Sequence, residues 1–195
     1  MKHRHETEIK LAVRDAKEMR WRLAELGFRP TLARHFESNY LFDFPDQRLR
    51  KSRCLIRLRF AGDQGLLTYK GAPLRSRDYK IRREIETPVE DGHRLREILL
   101  LLGLREVFCY EKFRTVYVPR GKRDVADAPH VVFDETPIGN YLELEGPQRW
   151  IDEVARQLGY KRRDYITDSY AALYRKKCQL EGKPPGNMIF PSRES

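Results

Sequence analysis

The sequence predicts an α+β fold in which a curled antiparallel sheet turns a charged face inward and an apolar face outward, beneath helices. Three observations carry this. Strand-like segments follow one another in hairpins rather than alternating strictly with helices. Sorting them by parity collects charged side chains on one face and aliphatic ones on the other. Three segments also carry a Glu-x-Glu pair on the charged face: Glu6/Glu8, Glu84/Glu86 and Glu143/Glu145.

Residues 3–13 alternate polar and apolar and read as a strand. Residues 15–27 read as a helix, with Asp15 at the cap, Met19, Leu23 and Leu26 recurring on one face, and Gly27 at the stop. Residues 36–43 are aromatic and strand-like, and Pro45-Asp46 makes a turn. Residues 53–61 and 65–70 are strands joined through Gly62-Asp63-Gln64-Gly65. Residues 78–87 alternate again and end at Pro88. A helix over 92–102 opens at Asp91, stops at Gly103 and gathers Leu95, Ile98, Leu99 and Leu102 on one face. The run 99–102 reads as core or as a dimer face. Residues 106–118 form a long strand, and 130–135 with 140–145 a hairpin around Pro137-Ile138-Gly139. A helix over 148–158 lies between Pro147 and Gly159, and a last helix covers 168–177. No linker divides the chain earlier, so 1–180 reads as one domain. Residues 181–195, with Pro184, Pro185, Gly186 and Pro191, read as a flexible tail.

On any single strand a charged face is what a half-exposed sheet shows to water. Here charge dominates strand after strand. Curling would bring the Glu-x-Glu pairs into a carboxylate cluster suited to Mg²⁺ or Mn²⁺, which prefer oxygen ligands. The Lys and Arg residues at matching parity would form a lining suited to phosphates.

The chain has 195 residues, with 39 Lys and Arg against 29 Asp and Glu, for a net charge of +10. That excess favours a polyanionic partner without choosing one. The longest apolar run, Ile98 to Leu102, falls far short of the roughly 18 residues of a membrane span. No membrane partner is expected, and the N-terminus shows no signal-peptide stretch. Cys54, Cys109 and Cys178 are too scattered for a disulfide framework or a zinc site, so a cytoplasmic location is the default.

In order along the chain, several motifs resemble those of the CYTH superfamily, the triphosphate tunnel metalloenzymes. Glu6-Thr7-Glu8-Ile9-Lys10 resembles the ExExK signature, and Phe42-Asp43-Phe44-Pro45-Asp46 the FDTPD turn, with Phe44 in place of Thr. Leu55 to Arg59 resembles LRxR, Leu67 to Gly71 LTxKG, Arg83 to Glu86 REIE, and Lys112-Phe113-Arg114 KxR. Asp134 to Gly139 with Leu142 to Glu145 resembles the DxTPxG…LELE hairpin, and Ser169-Tyr170 the late SY element. The resemblance spans about residues 4–175. It implies a closed or nearly closed eight-stranded antiparallel barrel, a triphosphate tunnel, with helices packed outside. It further implies a phosphate grip of Lys10, Arg57, Arg59, Lys70, Arg82, Lys112 and Arg114. The implied metal set is Glu6, Glu8, Asp134, Glu143 and Glu145, with Glu84 and Glu86 nearby, holding Mg²⁺ or Mn²⁺. Lys70 is the candidate for activating water, with Tyr40 beside it.

Members of such a family either hydrolyse a triphosphate or cyclise ATP to cyclic AMP. Hydrolysis asks only for the grip and a water, whereas cyclisation also asks for an adenine and ribose pocket, of which no local signature is found. The leading expectation is therefore a triphosphatase acting on inorganic tripolyphosphate, thiamine triphosphate or a nucleoside triphosphate. Class IV adenylyl cyclase is the alternative, and a non-catalytic polyphosphate- or nucleotide-binding module stays open. Basic clusters at 48–53, 120–123 and 161–163 are solvated loops on one reading and nucleic-acid contacts on the less favoured one. A homodimer also stays open.

Overall fold

The computed structural model describes residues 5–62, 64–121 and 128–191. Eight strands are present among them: β1 His5–Val13, β2 Phe28–Asp43, β3 Leu55–Ala61, β4 Gln64–Lys70, β5 Lys80–Val89, β6 Arg105–Pro119, β7 His130–Thr136 and β8 Gly139–Glu145. They close into an antiparallel barrel in the order β1-β5-β4-β3-β2-β6-β7-β8. The closing ladder pairs Glu8 with Glu145 and Lys10 with Glu143 across β1 and β8. Closure leaves no free sheet edge around the barrel.

Parity then sets which side chains face out. Ile9 and Leu11 of β1, Phe133 of β7 and Leu142 and Leu144 of β8 point outward and are fully buried. They pack beneath Met19 and Leu23 of α1 (Ala16–Glu25) and Ile151, Val154 and Ala155 of α4 (Gln148–Gln157). Phe42 and Leu58 form a second cluster with Leu95 and Leu99 of α3 (Gly92–Leu101). The barrel thus buries its grease between its outer wall and the helices, and keeps its charge within. The helix signals in the sequence work as expected. Asp15 accepts from the amides of Lys17 and Glu18 at 2.8 and 2.9 Å, and Asp91 accepts from the Arg94 amide at 2.9 Å. Gly103 and Gly159 follow their helices with φ of 87°, a left-handed turn that glycine adopts without a Cβ penalty.

Four features depart from the sequence expectation. β2 starts at Phe28 rather than 36, because its first half pairs with the equally long β6 through register shifts at 30/32 and 32/35. β5 runs through Pro88 to Val89. Beyond Arg83 its β1-facing edge has no partner among the described residues, so a missing amide donor there costs no ladder bond. In the 99–102 run only Leu99 is core; Leu101 and Leu102 are 80% and 68% exposed. The region read as a flexible tail is partly docked. Met188 is fully buried beside Tyr110 and Tyr170, and its amide donates to the Cys109 carbonyl at 2.9 Å.

The Phe42 to Asp46 motif has a structural role. Asp43, 3% exposed, accepts from the amides of Phe44, Leu49 and Arg50 at 2.7, 3.0 and 2.9 Å. It ties the short α2 (Arg48–Lys51) to the end of β2. Asp43→Ala strands three amides, and we expect urea unfolding to show a loss of about 2 kcal/mol. A loss under about 0.5 kcal/mol would remove this role.

Candidate active site

The inward faces of the strands enclose a cavity of about 310 Å³. Every phosphate-grip residue expected from the sequence lines it: Lys10, Arg57, Arg59, Lys70, Arg82, Lys112 and Arg114. Lys80 lines it too, as do Glu6, Glu8, Glu84, Glu86, Glu143 and Glu145, while Asp134 lies fully buried in the wall behind.

The carboxylates divide into two groups by what they touch. Asp134 receives Lys112 at 3.0 Å, Arg114 through two nitrogens at 2.7 Å each, and the Tyr170 hydroxyl at 2.8 Å. Glu143 receives Lys10 at 3.0 Å and Arg114 at 2.5 Å. These attractions outweigh burial and hold the Glu143 carboxyl well below the usual range. Glu86 takes Arg57 at 3.0 Å and the Thr68 hydroxyl at 2.7 Å. These three orient the cations. The second group is Glu6, Glu8, Glu84 and Glu145. Glu84 takes the Lys70 amine and Glu8 takes Lys80 at 2.5 Å. Glu6 has burial and the neighbouring Glu145 and Glu84 against it, and its carboxyl is pushed up to about 9. Burial also raises Glu145, which has the His130 ring at 3.6 Å.

Among the described residues no three His, Cys, Asp or Glu side chains already stand where they would hold a metal ion. The chemistry of the second group nevertheless fits one. Glu8 and Glu145 are direct partners across β1 and β8, Glu6 is on the same face, and crowded carboxyl oxygens are what Mg²⁺ or Mn²⁺ binds. Glu6, Glu8 and Glu145 are therefore the candidate ligands, with Glu84 beside them. Asp134, Glu86 and Glu143 are engaged by cations instead.

The cationic side has unmet donors. The Arg57 Nε, Arg82 Nε and Asn39 Nδ2 atoms are buried with no hydrogen-bond partner. Arg57 and Arg82 are 7% and 6% exposed, and Asn39 is fully buried. Buried donors without acceptors cost free energy until an anion supplies oxygen.

Tyr40 does not join this group. It lies on the outward face of β2, with its ring 5.7 Å from Phe60 and 4.8 Å from the Arg96 guanidinium. The expected pairing with Lys70 is corrected: the even positions 38 and 40 of β2 face out, and the odd positions 37 and 39 face in. We expect Tyr40→Phe to keep activity within about twofold, since it leaves the tunnel lining untouched; a larger loss in steady-state assays would return Tyr40 to the site.

Among the residues that sequence reasoning missed, Glu37, Tyr110 and Tyr170 line the cavity and Asn39 lies buried beside them. Glu37, 2% exposed, stands 3.4 Å from Arg59 and 3.5 Å from Lys112. Asn39 accepts from the Arg59 Nε at 3.2 Å. Tyr110 lies 3.5 Å from an Arg57 nitrogen; burial is outweighed by Arg57, Lys112 and Arg59, which lower its hydroxyl pKa. Tyr170, at the start of α5 (Tyr170–Leu180), closes one end, its ring 5.1 and 5.5 Å from Lys10 and Lys112. Parity with Lys112 was the available signal for Tyr110, and parity along β2 for Glu37 and Asn39.

The sequence model of the CYTH domain matches residues 4–170. The chain belongs to the CYTH family. A protein of Methanocaldococcus jannaschii named "Putative adenylate cyclase MJ0240" is 31% identical to this CYTH domain over 140 residues, covering 72% of this chain and 75% of that one. A Vibrio parahaemolyticus structure described as a "putative adenylate cyclase" superposes with a TM-score of 0.75 at 16% identity, covering 88% of this chain and 98% of that one. A Hippeastrum protein, described as a "putative adenylyl cyclase" with a dominant triphosphatase activity, superposes at 0.61 with 17% identity, covering 92% and 97%. These two structures share the barrel fold of this CYTH domain. No helix among the described residues is long and apolar enough to cross a membrane. Of the basic clusters, Arg162 is held by Asp152 at 2.6 Å, while Lys122 and Arg123 lie outside the described residues.

Proposed function

We propose that this CYTH domain is a divalent-metal-dependent hydrolase that cleaves a phosphoanhydride of a triphosphate held inside the barrel. The observation that supports it most is the set of buried guanidinium and amide donors without acceptors, Arg57, Arg82 and Asn39, in a tunnel otherwise rich in paired charge. A triphosphate offers oxygens to many donors along one line, which suits cations presented by several strands at successive depths.

Arg57, Arg59, Arg114, Lys10 and Lys112 bind the phosphate oxygens and fix the chain in the tunnel. Their carboxylate partners Glu86, Glu37, Asp134 and Glu143 hold them in place before substrate arrives, so little reorganisation is left for the reaction. Glu6, Glu8 and Glu145 hold Mg²⁺ or Mn²⁺, which when bound neutralises charge on phosphate oxygens and acidifies water. Lys70 donates to Glu84 in this structure. By handing that proton to the Glu84 carboxylate the amine becomes neutral, and it then takes the proton of the attacking water.

The M. jannaschii relative's name supports a second reading, adenylyl cyclase, in which the ribose 3′-hydroxyl attacks the α-phosphate and pyrophosphate leaves. One assay separates them. Purified protein is incubated with tripolyphosphate, thiamine triphosphate or ATP and Mg²⁺ or Mn²⁺, and orthophosphate and cyclic AMP are both measured. We expect orthophosphate, and its loss in Glu8→Gln and Glu145→Gln with the fold intact by circular dichroism. Abundant cyclic AMP with little orthophosphate would make the chain a cyclase, and full rates in both variants would overturn the metal assignment.

A further inference from the structure

Residues 187–190 are bound to the barrel at the strand that carries part of the phosphate grip. β6 is longer than β7 and pairs with it only from Phe113 to Tyr117. Among the described residues no barrel strand pairs with that side of β6 before Phe113. An open edge of this kind is a template for another extended segment. Here the chain's own tail takes it, running parallel to β6 with Met188 beside Tyr110. Four hydrogen bonds, each of 2.9 Å, fix the register. The Cys109 amide donates to the Asn187 Oδ1 atom, the Met188 amide to the Cys109 carbonyl, the Glu111 amide to the Met188 carbonyl, and the Phe190 amide to the Glu111 carboxylate. The Phe190 ring lies 5.3 Å from that of Phe113.

Strand alternation makes this contact bear on the tunnel. The tail holds Cys109, Glu111 and Phe113, which alternate with Tyr110, Lys112 and Arg114 in the cavity wall. Met188 itself is fully buried against Tyr110 and Tyr170. Those two residues in turn touch the grip. The Tyr110 hydroxyl is 3.5 Å from an Arg57 nitrogen, the Tyr170 hydroxyl donates to Asp134 at 2.8 Å, and the Tyr170 ring faces Lys10 and Lys112 at 5.1 and 5.5 Å. One tail side chain thus backs the residues that aim Arg57, Lys10 and Lys112. The match to the CYTH domain ends at residue 170, so the tail lies outside the pattern that defines the family.

We propose that the tail is a clamp on the phosphate grip, with Met188 as its positioning residue. Docked, it fixes Tyr110 and Tyr170, and through them it holds the cations at the spacing that phosphate oxygens need. Met188 does not line the cavity, so it acts only through the two tyrosines. The proposal rests on the triphosphate reading of the tunnel and adds a determinant of affinity to it. Linkage makes the effect reciprocal: a triphosphate that binds the docked form more tightly also holds the tail down more tightly.

Titration calorimetry with inorganic tripolyphosphate in EDTA, which suppresses turnover, is run on wild type, Met188→Ala, Met188→Leu and Asn187→Ala. We expect Met188→Ala to bind about tenfold more weakly, with an unchanged circular dichroism spectrum. Met188→Leu, which keeps the buried volume, should bind within about twofold of wild type. Asn187→Ala removes one tether and should weaken binding several-fold. Hydrogen exchange gives the reciprocal readout: tripolyphosphate should slow the Met188 and Phe190 amides by a larger factor than the Val154 amide of α4. A role confined to packing predicts a less stable Met188→Ala protein that binds tripolyphosphate as wild type does. That result, or equal slowing of all three amides, overturns the clamp and leaves the tunnel reading standing. Should Met188→Ala fail to fold, wild-type affinity in Asn187→Ala overturns it instead. A wild type that binds no tripolyphosphate overturns both.

Discussion

Arg114→Ala is expected to lower stability by about 3–5 kcal/mol and turnover by at least about 100-fold. Arg114 bonds Asp134 through two nitrogens and reaches Glu143 at 2.5 Å, with Glu37 at 4.0 Å. Its side chain is 12% exposed and those of Asp134 and Glu37 are 0% and 2% exposed, so water does not replace it. Removing it leaves Asp134 with Lys112 and Tyr170 only, and Glu143 with Lys10. Arg114→Lys should recover charge but not the paired geometry, and should fall between the two. Urea unfolding and steady-state rates on both variants check this. A stability loss below about 1 kcal/mol for Arg114→Ala would mean the interior behaves as a solvated surface.

Glu37→Gln should act in opposite directions on stability and binding. Lys112, Arg114 and Arg59 overcome the cost of burial and hold the Glu37 carboxyl well below its ordinary value of 4.5. A depressed folded pKa stabilises the fold above the unfolded value, and that contribution is lost as pH falls through the folded one. The variant should therefore be about 3 kcal/mol less stable than wild type at pH 7, and the gap should narrow as pH drops below 4.5. The same change leaves Arg59 and Lys112 with less competition, so tripolyphosphate should bind several times more tightly. An equal gap at pH 7 and at acid pH, or weaker tripolyphosphate binding, would contradict this account of Glu37.

The strand faces made most of the interior legible. In β1, β3, β5 and β8 charged and apolar positions largely alternate, so parity separates Glu6, Glu8 and Lys10 from Ile9 and Leu11, and Arg57 and Arg59 from Leu58. Closure of the barrel was not visible in alternation; it came with the ordered motifs and is seen in the β1–β8 ladder. β2 is harder to read, because register shifts at 30/32, 32/35 and 41/42 break its period of two at either end. Between them the period holds and puts Glu37 and Asn39 on the inward face; Tyr40 came from the family resemblance, and the same period puts it outside. Tyr170 reaches the tunnel from a helix, where strand parity says nothing. The carboxylates looked alike in sequence. Only the distances show that Asp134, Glu86 and Glu143 hold the gripping cations and that Glu8 is paired with Lys80, while burial and neighbouring carboxylates raise Glu6 and Glu145. The net charge of +10 proved a poor guide, since tunnel cations and carboxylates nearly balance.

Calorimetric titration of wild type and Arg57→Ala with inorganic tripolyphosphate in EDTA, which suppresses turnover, tests the central claim most directly. Arg57 is buried, belongs to no catalytic proton transfer, and its Nε lacks an acceptor. A tunnel that grips triphosphate predicts one saturable site in wild type and binding at least about 100-fold weaker in Arg57→Ala. No saturable binding in wild type, or binding of equal strength in the variant, would contradict it.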